Sequence, residues 1–180
     1  ELVTGLDLVK YQLRVAAGEK LDLRQDDIVM RGAAIECRVY AEDPANNFLP
    51  SPGRITAFRP PAGPGIRHDT GVYQGWTVPN DYDPLIAKLA TWERTRGESI
   101  ERMRRALTEY QIAGIHTNIS FFLEVLDDPD FRQANFDTGF LDRWMQSRND
   151  DHKVSGIERD IAVIAAALFQ TERTSIAPAP

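Results

Sequence analysis

Cysteine is almost absent from this sequence, and so are an excess of positive charge and any long hydrophobic run. The lone Cys37 excludes an intrachain disulfide and a multi-cysteine metal site, and it favours a reducing, cytoplasmic compartment. The net charge of −6 is not typical of nucleic-acid-binding proteins. The longest apolar run, residues 161–169, is far shorter than the roughly 20 residues of a membrane span. We therefore expect no nucleic-acid or membrane partner.

The 180 residues have the composition of a soluble globular protein, with 42% hydrophobic and 27% charged residues. The chain opens on Glu1 rather than Met, and we expect it to be a piece of a larger protein. Apolar residues at helical spacing predict a first helix over residues 4–18, with Thr4 as a cap and Gly18 as its exit.

A strand with a functional face is predicted over residues 33–42, where the period changes to alternation. Ile35, Cys37 and Val39 point to one side, and Glu36 and Arg38 point to the other. Further short strands are predicted at residues 54–58, 66–68, 72–78 and 85–92, with a hairpin turn at residues 69–71. Short connections between consecutive strands favour a largely antiparallel sheet.

The second half of the chain is predicted to be helical. One apolar stripe ends near Gly114, and Thr117 or Asn118 can cap the next helix. Thr138 can cap a further short helix, and a polar hinge is predicted at residues 146–154. A last amphipathic helix at residues 155–171 precedes a linker-like tail. The class is therefore α+β: a largely antiparallel sheet packed with helices, and a helical C-terminal extension.

The charged face of the first strand is the best candidate for chemistry. The three histidines lie far apart without metal-ligand spacing, and no glycine-rich phosphate loop precedes a helix. Two interpretations of Glu36 and Arg38 stay open. They form an internal salt bridge on a solvated face, or Glu36 holds an arginine fork that is aimed at a planar or anionic ligand group.

Several gapless motifs resemble the C-terminal domain of biotin carboxylase, the ATP-grasp component of biotin-dependent carboxylases. They begin with AIECRVYAEDP at residues 34–44 and FLPSPG at residues 48–53. The others are GIR (65–67), GWTVP (75–79), YDPLIAKL (82–89), RMRRALTE (102–109), GIHTN (114–118) and FDTGF (136–140). The resemblance covers about residues 1–145. Residues 1–7 resemble the start of the helix that follows the catalytic strand of the family, and that strand is absent here.

The resemblance implies a reaction in which ATP and bicarbonate carboxylate N1 of biotin on a carrier protein. It places on Arg38 the arginine that contacts the ureido oxygen of biotin, with Glu36 and Asp83 as supporting carboxylates. Asp83 is alternatively a plain turn residue before Pro84. The ATP- and Mg-binding motifs of the family are absent from this sequence, so the chain alone is expected to be inactive.

The resemblance also implies partners and boundaries. The chain would consist of a linking helix (1–20), the C-terminal domain (21–146) and a hinge, helix and linker (147–180). An ATP-grasp domain would precede the linking helix and is the first expected partner. A biotin carrier domain and a carboxyltransferase are further expected partners. Thr138 would border the adenine pocket, or it is only a helix cap. The residues that match homodimer contacts of the family, alternatively plain solvated surface, are Pro64, Arg67, Leu85, Arg102 and Glu109.

Three alternatives stay open for the sequence. The acyl acceptor is acetyl-CoA, as in fatty acid biosynthesis, or propionyl-CoA, another acyl-CoA or pyruvate. The alternative to a carboxylase fragment is a non-catalytic partner-binding or assembly module. The last helix either folds back on this domain or bridges to a downstream segment. A biotin carrier is excluded, because carriers present a lysine beside a methionine and no lysine here neighbours one.

Overall fold

The computed structural model describes residues 1–151, which fall into two compact units. The first is Glu1–Asn135, and the second starts at Phe136. The helices of the first unit are α1 (Leu8–Ala16), α2 (Arg96–Glu109), α3 (Ile119–Asp127) and α4 (Pro129–Gln133), with 3-10 turns at Gln25–Asp27 and Pro44–Asn46. Its strands are β1 (Ala33–Tyr40), β2 (Glu42–Asp43), β3 (Leu49–Pro50), β4 (Gly53–Arg54), β5 (Ala57–Arg59), β6 (Ile66–Thr70), β7 (Thr77–Val78), β8 (Leu85–Glu93) and β9 (Gln111–Ala113).

The main sheet is antiparallel, with the strand order β1-β8-β6. Burial alternates along β1 as the sequence predicted, so its apolar residues face the core and its charged residues face out. β8 pairs on both edges, whereas β1 is an edge strand. The register between β1 and β8 shifts between Val39 and Tyr40, because β8 carries one extra residue there.

The predicted hairpin turn at residues 69–71 is wrong. β6 pairs with β8, and β7 pairs with β4. The Thr70 hydroxyl donates a hydrogen bond to the Ile86 carbonyl oxygen at 2.8 Å, which holds the end of β6 on β8. The segment between β6 and β7 instead bonds to the backbone of Ile55: the Gly75 N–H donates to the Ile55 carbonyl oxygen, and the Ile55 N–H donates to the Trp76 carbonyl oxygen. Local turn chemistry therefore gave way to pairing with the most buried strand.

The core lies between the inner face of the main sheet and α2. The predicted helical stripe is confirmed, and Ile100, Met103 and Leu107 are almost fully buried. Thr95 and Glu98 form a capping box at the start of α2. The buried hydroxyls of Thr91 and Ser99 lie 3.2 Å apart and tie this helix to β8.

Both ends of the described chain depart from the predicted bounds. Helix α1 begins at Leu8, and its cap is Asp7 rather than Thr4, because the Asp7 carboxylate accepts the Lys10 N–H at 2.9 Å. In the second unit, α5 runs over Phe140–Asp151, so the first part of the predicted hinge is helical. Its residues are polar, but none is the glycine or proline that breaks helices. The predicted last helix and tail lie outside the described residues.

Candidate functional site

The outward face of β1 carries the candidate site. Glu36 and Arg38 lie side by side, as predicted, with 3.3 Å between Arg38 Nε and Glu36 Oε1. Both side chains are about half exposed, at 48% and 59% respectively. Hydrogen bonding to Glu36, and then to Tyr40, raises the pKa of Arg38. The guanidinium is therefore a permanent cation that is oriented by its neighbours and open to solvent.

Sequence reasoning missed the other charges on this face. Lys88 of β8 lies directly opposite Arg38, and on its other side it faces Asp69 of β6. Like charges at directly opposed positions destabilise a sheet. The signal was available in the sequence, because Lys88 is the one charged residue between Leu85 and Trp92. The sheet thus presents two neighbouring cations to solvent at some cost in stability, as a site for an electronegative ligand group does.

A cleft of about 390 Å³ lies next to this row of charges. Its charged lining residues are Glu1, Glu36, Arg67, Asp69 and Lys88. Arg67 Nε is 2.8 Å from Asp69 Oδ2, and Arg67 Nη1 is 3.7 Å from Glu1 Oε2. The N-terminal residues of the chain therefore border the outward face of the main sheet.

Asn118 contacts the strand that carries Arg38. The sequence offered it as a cap for α3, but its side chain makes no capping bond. Its Oδ1 instead accepts the Tyr40 N–H at 3.0 Å, and its Nδ2 donates to the Arg38 carbonyl oxygen at 3.1 Å. The sequence did not indicate either bond, because the same asparagine amide can cap its own helix or bond to a distant strand.

Asp83 occupies the turn that leads into β8. Its carboxylate accepts the Leu85 N–H at 3.0 Å, which is the contact expected of a turn residue. Burial, and then the charge of Asp83, raise the pKa of Glu42. The structure therefore brings Asp83 close to Glu42, while Glu36 is the carboxylate that contacts Arg38.

The residues expected at a dimer contact are spread over the first unit. Arg102 donates to the Pro64 carbonyl oxygen, so these two expected dimer residues are in contact, and Arg102 also pairs with Glu93. Glu109 pairs with Arg105 at 3.1 Å. Arg67 lies on the outward face, and Leu85 lies at the end of β8 that is remote from Glu93. Thr138 belongs to the second unit and lies exposed just before α5.

Metal and thiol chemistry find no support among residues 1–151. No group of three or more His, Cys, Asp or Glu side chains in this part of the chain could hold a metal ion. Cys37 is buried, as predicted, and burial raises the pKa of its thiol to about 12, which favours an inert core residue. None of the described helices is long and apolar enough to cross a membrane.

Comparison with known proteins identifies the family. Residues 36–143 match the family described as biotin carboxylase C-terminal domain. The chain is 48% identical over 144 residues to biotin carboxylase 1 of Bacillus subtilis (strain 168), a match that covers 80% of this chain and 32% of that protein. It is equally similar to one of the subunits of pyruvate carboxylase from Methanothermobacter thermautotrophicus, at 48% identity over 80% of this chain and 29% of that protein.

A solved structure shares the fold as well as the sequence. The biotin carboxylase domain dimer of Hydrogenobacter thermophilus 2-oxoglutarate carboxylase, in complex with MgADP, ADP and bicarbonate, matches with a TM-score of 0.75. The identity is 43%, and the match covers 79% of this chain and 32% of that one. The chain thus spans about a third of the length of its relatives. It belongs to the biotin carboxylase C-terminal domain family.

Proposed function

We propose that this chain is the C-terminal part of a biotin carboxylase and that Arg38 is its catalytic contribution. The complete enzyme uses ATP and bicarbonate to carboxylate N1 of biotin on a carrier protein. The observation that carries the proposal is the solvent-open Arg38 guanidinium, which Glu36 orients and which lies opposite a second cation, Lys88. These residues have the chemistry that a biotin ureido group needs.

The proposed role of Arg38 follows from where charge develops. Removing the proton from N1 of biotin places negative charge on the ureido oxygen. A planar, permanently charged donor stabilises that oxyanion, and its fork fixes the plane of the ring. Glu36 holds the fork, so little reorganisation is needed when the charge appears. Asp83 supports the site indirectly, through the turn that starts β8.

The nucleotide belongs to another part of the enzyme in this proposal. Residues 1–151 offer neither a metal cluster nor a glycine-rich phosphate loop before a helix, so they do not fit Mg-ATP by themselves. Residues 1–20 would link to the ATP-grasp domain, and residues 147–180 would link to a downstream segment of the enzyme. Thr138 borders the adenine pocket from its exposed turn. The 180-residue chain is therefore expected to show no bicarbonate-dependent ATP hydrolysis, and such activity would contradict this division of roles.

The proposal extends to the assembly around this chain. A related domain is described as a dimer, which supports a homodimer contact that includes Pro64, Arg67, Leu85, Arg102 and Glu109. The carboxyltransferase partner selects the acyl acceptor outside this chain. Acetyl-CoA, the acceptor in fatty acid biosynthesis, is one candidate acceptor. Propionyl-CoA and pyruvate are the others, because the relatives include a propionyl-CoA carboxylase and a pyruvate carboxylase subunit.

A non-catalytic assembly module is the second candidate, and one observation favours it. Helix α1 buries none of its residues, and Leu8, Val9, Leu13 and Val15 are all at least half exposed. Such a face is suited to a partner. The two candidates differ in what Arg38 does, since an assembly module has no use for an oriented guanidinium on a remote face.

The test uses the full-length protein with Arg38→Ala and Arg38→Lys. We expect biotin carboxylation to fall by about 10²–10³-fold in the alanine variant, the usual effect of removing one oxyanion donor. Lysine lacks the planar fork and should not restore the rate. Biotin-independent ATP hydrolysis should persist in both variants. Arg59→Ala, which removes an exposed arginine from β5, is the matched control. Carboxylation near the wild-type rate in Arg38→Ala would favour the assembly module.

A further inference from the structure

The open edge of β1 is closed at one point by a single side chain. β1 is an edge strand, so its outward-pointing backbone groups have no strand partner within residues 1–151. The Asn118 amide accepts the Tyr40 N–H and donates to the Arg38 carbonyl oxygen. The Asn118 backbone N–H adds a bond to the Tyr40 carbonyl oxygen at 3.3 Å. One residue thereby takes the place of a partner strand between the Arg38 carbonyl and Tyr40.

This contact lies beside the one register shift in the pairing of β1 with β8. The register with β8 shifts between Val39 and Tyr40, one residue beyond Arg38. A bulge disturbs the ladder and lets the bulged region bend. The bonds from Asn118 act on the opposite edge of β1 and span the same residues. They therefore hold the backbone from Arg38 to Tyr40, next to the point where the pairing of β1 with β8 becomes irregular.

The loop that presents Asn118 packs closely on its surroundings. Gly114 has a φ of +96°, and a Cβ there would collide with the Arg54 carbonyl oxygen. The His116 N–H donates to Ser51 Oγ at 3.0 Å. Asn118 is only 5% exposed, and its side chain gives up the capping bond that its position at the start of α3 would allow. The hydrogen bonds of its side-chain amide are thus made to β1 instead of to its own helix.

We infer that Asn118 is a positioning residue for Arg38. This inference rests on the function proposed for Arg38. An amide is the side chain that supplies one donor and one acceptor in one plane, which is what the carbonyl of one residue and the N–H two residues later require. Reacting groups need close alignment, and a displacement of about 1 Å can lower a rate by about 10²-fold. Asn118 keeps the guanidinium within that tolerance.

The experiment compares variants of the full-length enzyme. Asn118→Ala removes both side-chain bonds, and Asn118→Asp keeps an acceptor for Tyr40 but loses the donor to Arg38. Thr91→Val is the control, because it removes the hydrogen bonds of another buried side chain without contacting β1 at Arg38. Each variant is assayed for biotin carboxylation and, without biotin, for bicarbonate-dependent ATP hydrolysis. Thermal unfolding reports the stability of each variant.

We expect Asn118→Ala to lower the rate of biotin carboxylation by about 10- to 100-fold while biotin-independent ATP hydrolysis stays near the wild-type rate. Asn118→Asp should lie between Asn118→Ala and the wild type, and it carries the test if the alanine variant does not fold. Thr91→Val should lower the unfolding temperature without changing the ratio of the two activities. In the double variant with Arg38→Ala, the Asn118 substitution should have little further effect, because its target is gone.

The outcomes separate the two proposals. Equal losses of both activities in the Asn118 variants, as from simple destabilisation, would overturn the positioning role. So would losses that add fully to those of Arg38→Ala. A large effect of Arg38→Ala, together with Asn118 variants at the level of Thr91→Val, would leave Arg38 catalytic and remove Asn118. If Arg38→Ala had no effect, both proposals would fall.

Discussion

The two faces of the main sheet are built from alternate residues of the same strands, yet they are held in different ways. The inward face buries Cys37, Val39 and Leu89 against α2. The outward face exposes Arg38 and Lys88 as neighbouring cations, beside ion pairs of half-exposed side chains. Packing stabilises the first face, and exposed ion pairs add little to the second.

This difference shows how a strand can carry chemistry on one face while its other face still forms the core. Because the side-chain period of a strand is two, the sequence can vary one face while the other remains a core. The outward face is then free to hold charges in an unfavourable arrangement. Substitutions on the two faces should therefore have separable effects, large on the inward face and small on the outward one.

The largest effect is expected at Cys37 on the inward face. Burial raises the pKa of its thiol from the ordinary 9.0 to about 12, so the thiolate fraction near neutral pH falls by about 10³-fold. A thiol-specific reagent such as DTNB should label the native chain at least that much more slowly than the chain in urea. Rapid labelling of the native chain would show that this face opens to solvent.

Truncation of a core side chain should come next. Leu89 is fully buried on β8, and we expect Leu89→Ala to lower the free energy of unfolding by about 2–5 kcal/mol. Leu49→Ala on β3, where the leucine is 62% exposed, is the matched control and should change it by less than about 0.5 kcal/mol. Urea titrations of both variants measure the difference. Similar values for both would mean that the inward face does not stabilise the fold.

His68 lies on the edge strand β6 and should make stability depend on pH. Its Nε2 is 2.7 Å from the Tyr110 hydroxyl oxygen, and burial lowers the pKa of the imidazole below its ordinary 6.5. The unfolded chain therefore binds the proton more readily than the folded chain. Stability should be fully present above pH 6.5 and should fall as the pH drops below it, until the folded state is protonated too.

Urea titrations between pH 8 and pH 5 measure this dependence. His68→Gln should flatten the profile across this window. A profile that is the same in the wild type and in His68→Gln would contradict the assignment to His68.

The smallest effect is expected on the outward face. Arg67 and Asp69 are 2.8 Å apart, but their side chains are 53% and 52% exposed. We expect Asp69→Asn to lower the free energy of unfolding by less than about 1 kcal/mol, and 0.5 M NaCl should reduce that loss further. A cost as large as that of Leu89→Ala would abolish the distinction between the two faces.

The elements that sequence predicted well are those whose signal is local. Alternation along β1 and the apolar stripe of α2 are periodic patterns, and both are confirmed. The adjacency of Glu36 and Arg38 follows from the same period of two. The family followed from motifs that cover most of the chain.

The features that the sequence did not predict depend on which distant segment a strand or side chain contacts in the folded chain. The turn chemistry of residues 69–71 indicated a hairpin, but β6 pairs with β8, a strand whose residues are mostly buried. The Asn118 amide could cap its own helix or bond to β1, and only the folded chain decides between the two. The pairing of Arg38 with Lys88 needs the register of two strands, and a single sequence does not supply it.

The bonds between Asn118 and β1 also determine when the site acquires its shape. They join residues that are 78 and 80 positions apart, so they form only after the intervening chain has folded into place. Closing long loops and forming distant contacts are slow steps in folding. During synthesis, β1 emerges early with its outer edge bonded only to water, and its final alignment waits until residue 118 has emerged. A shortened chain that ends before this residue would carry the motif around Arg38 without the contact that orders it.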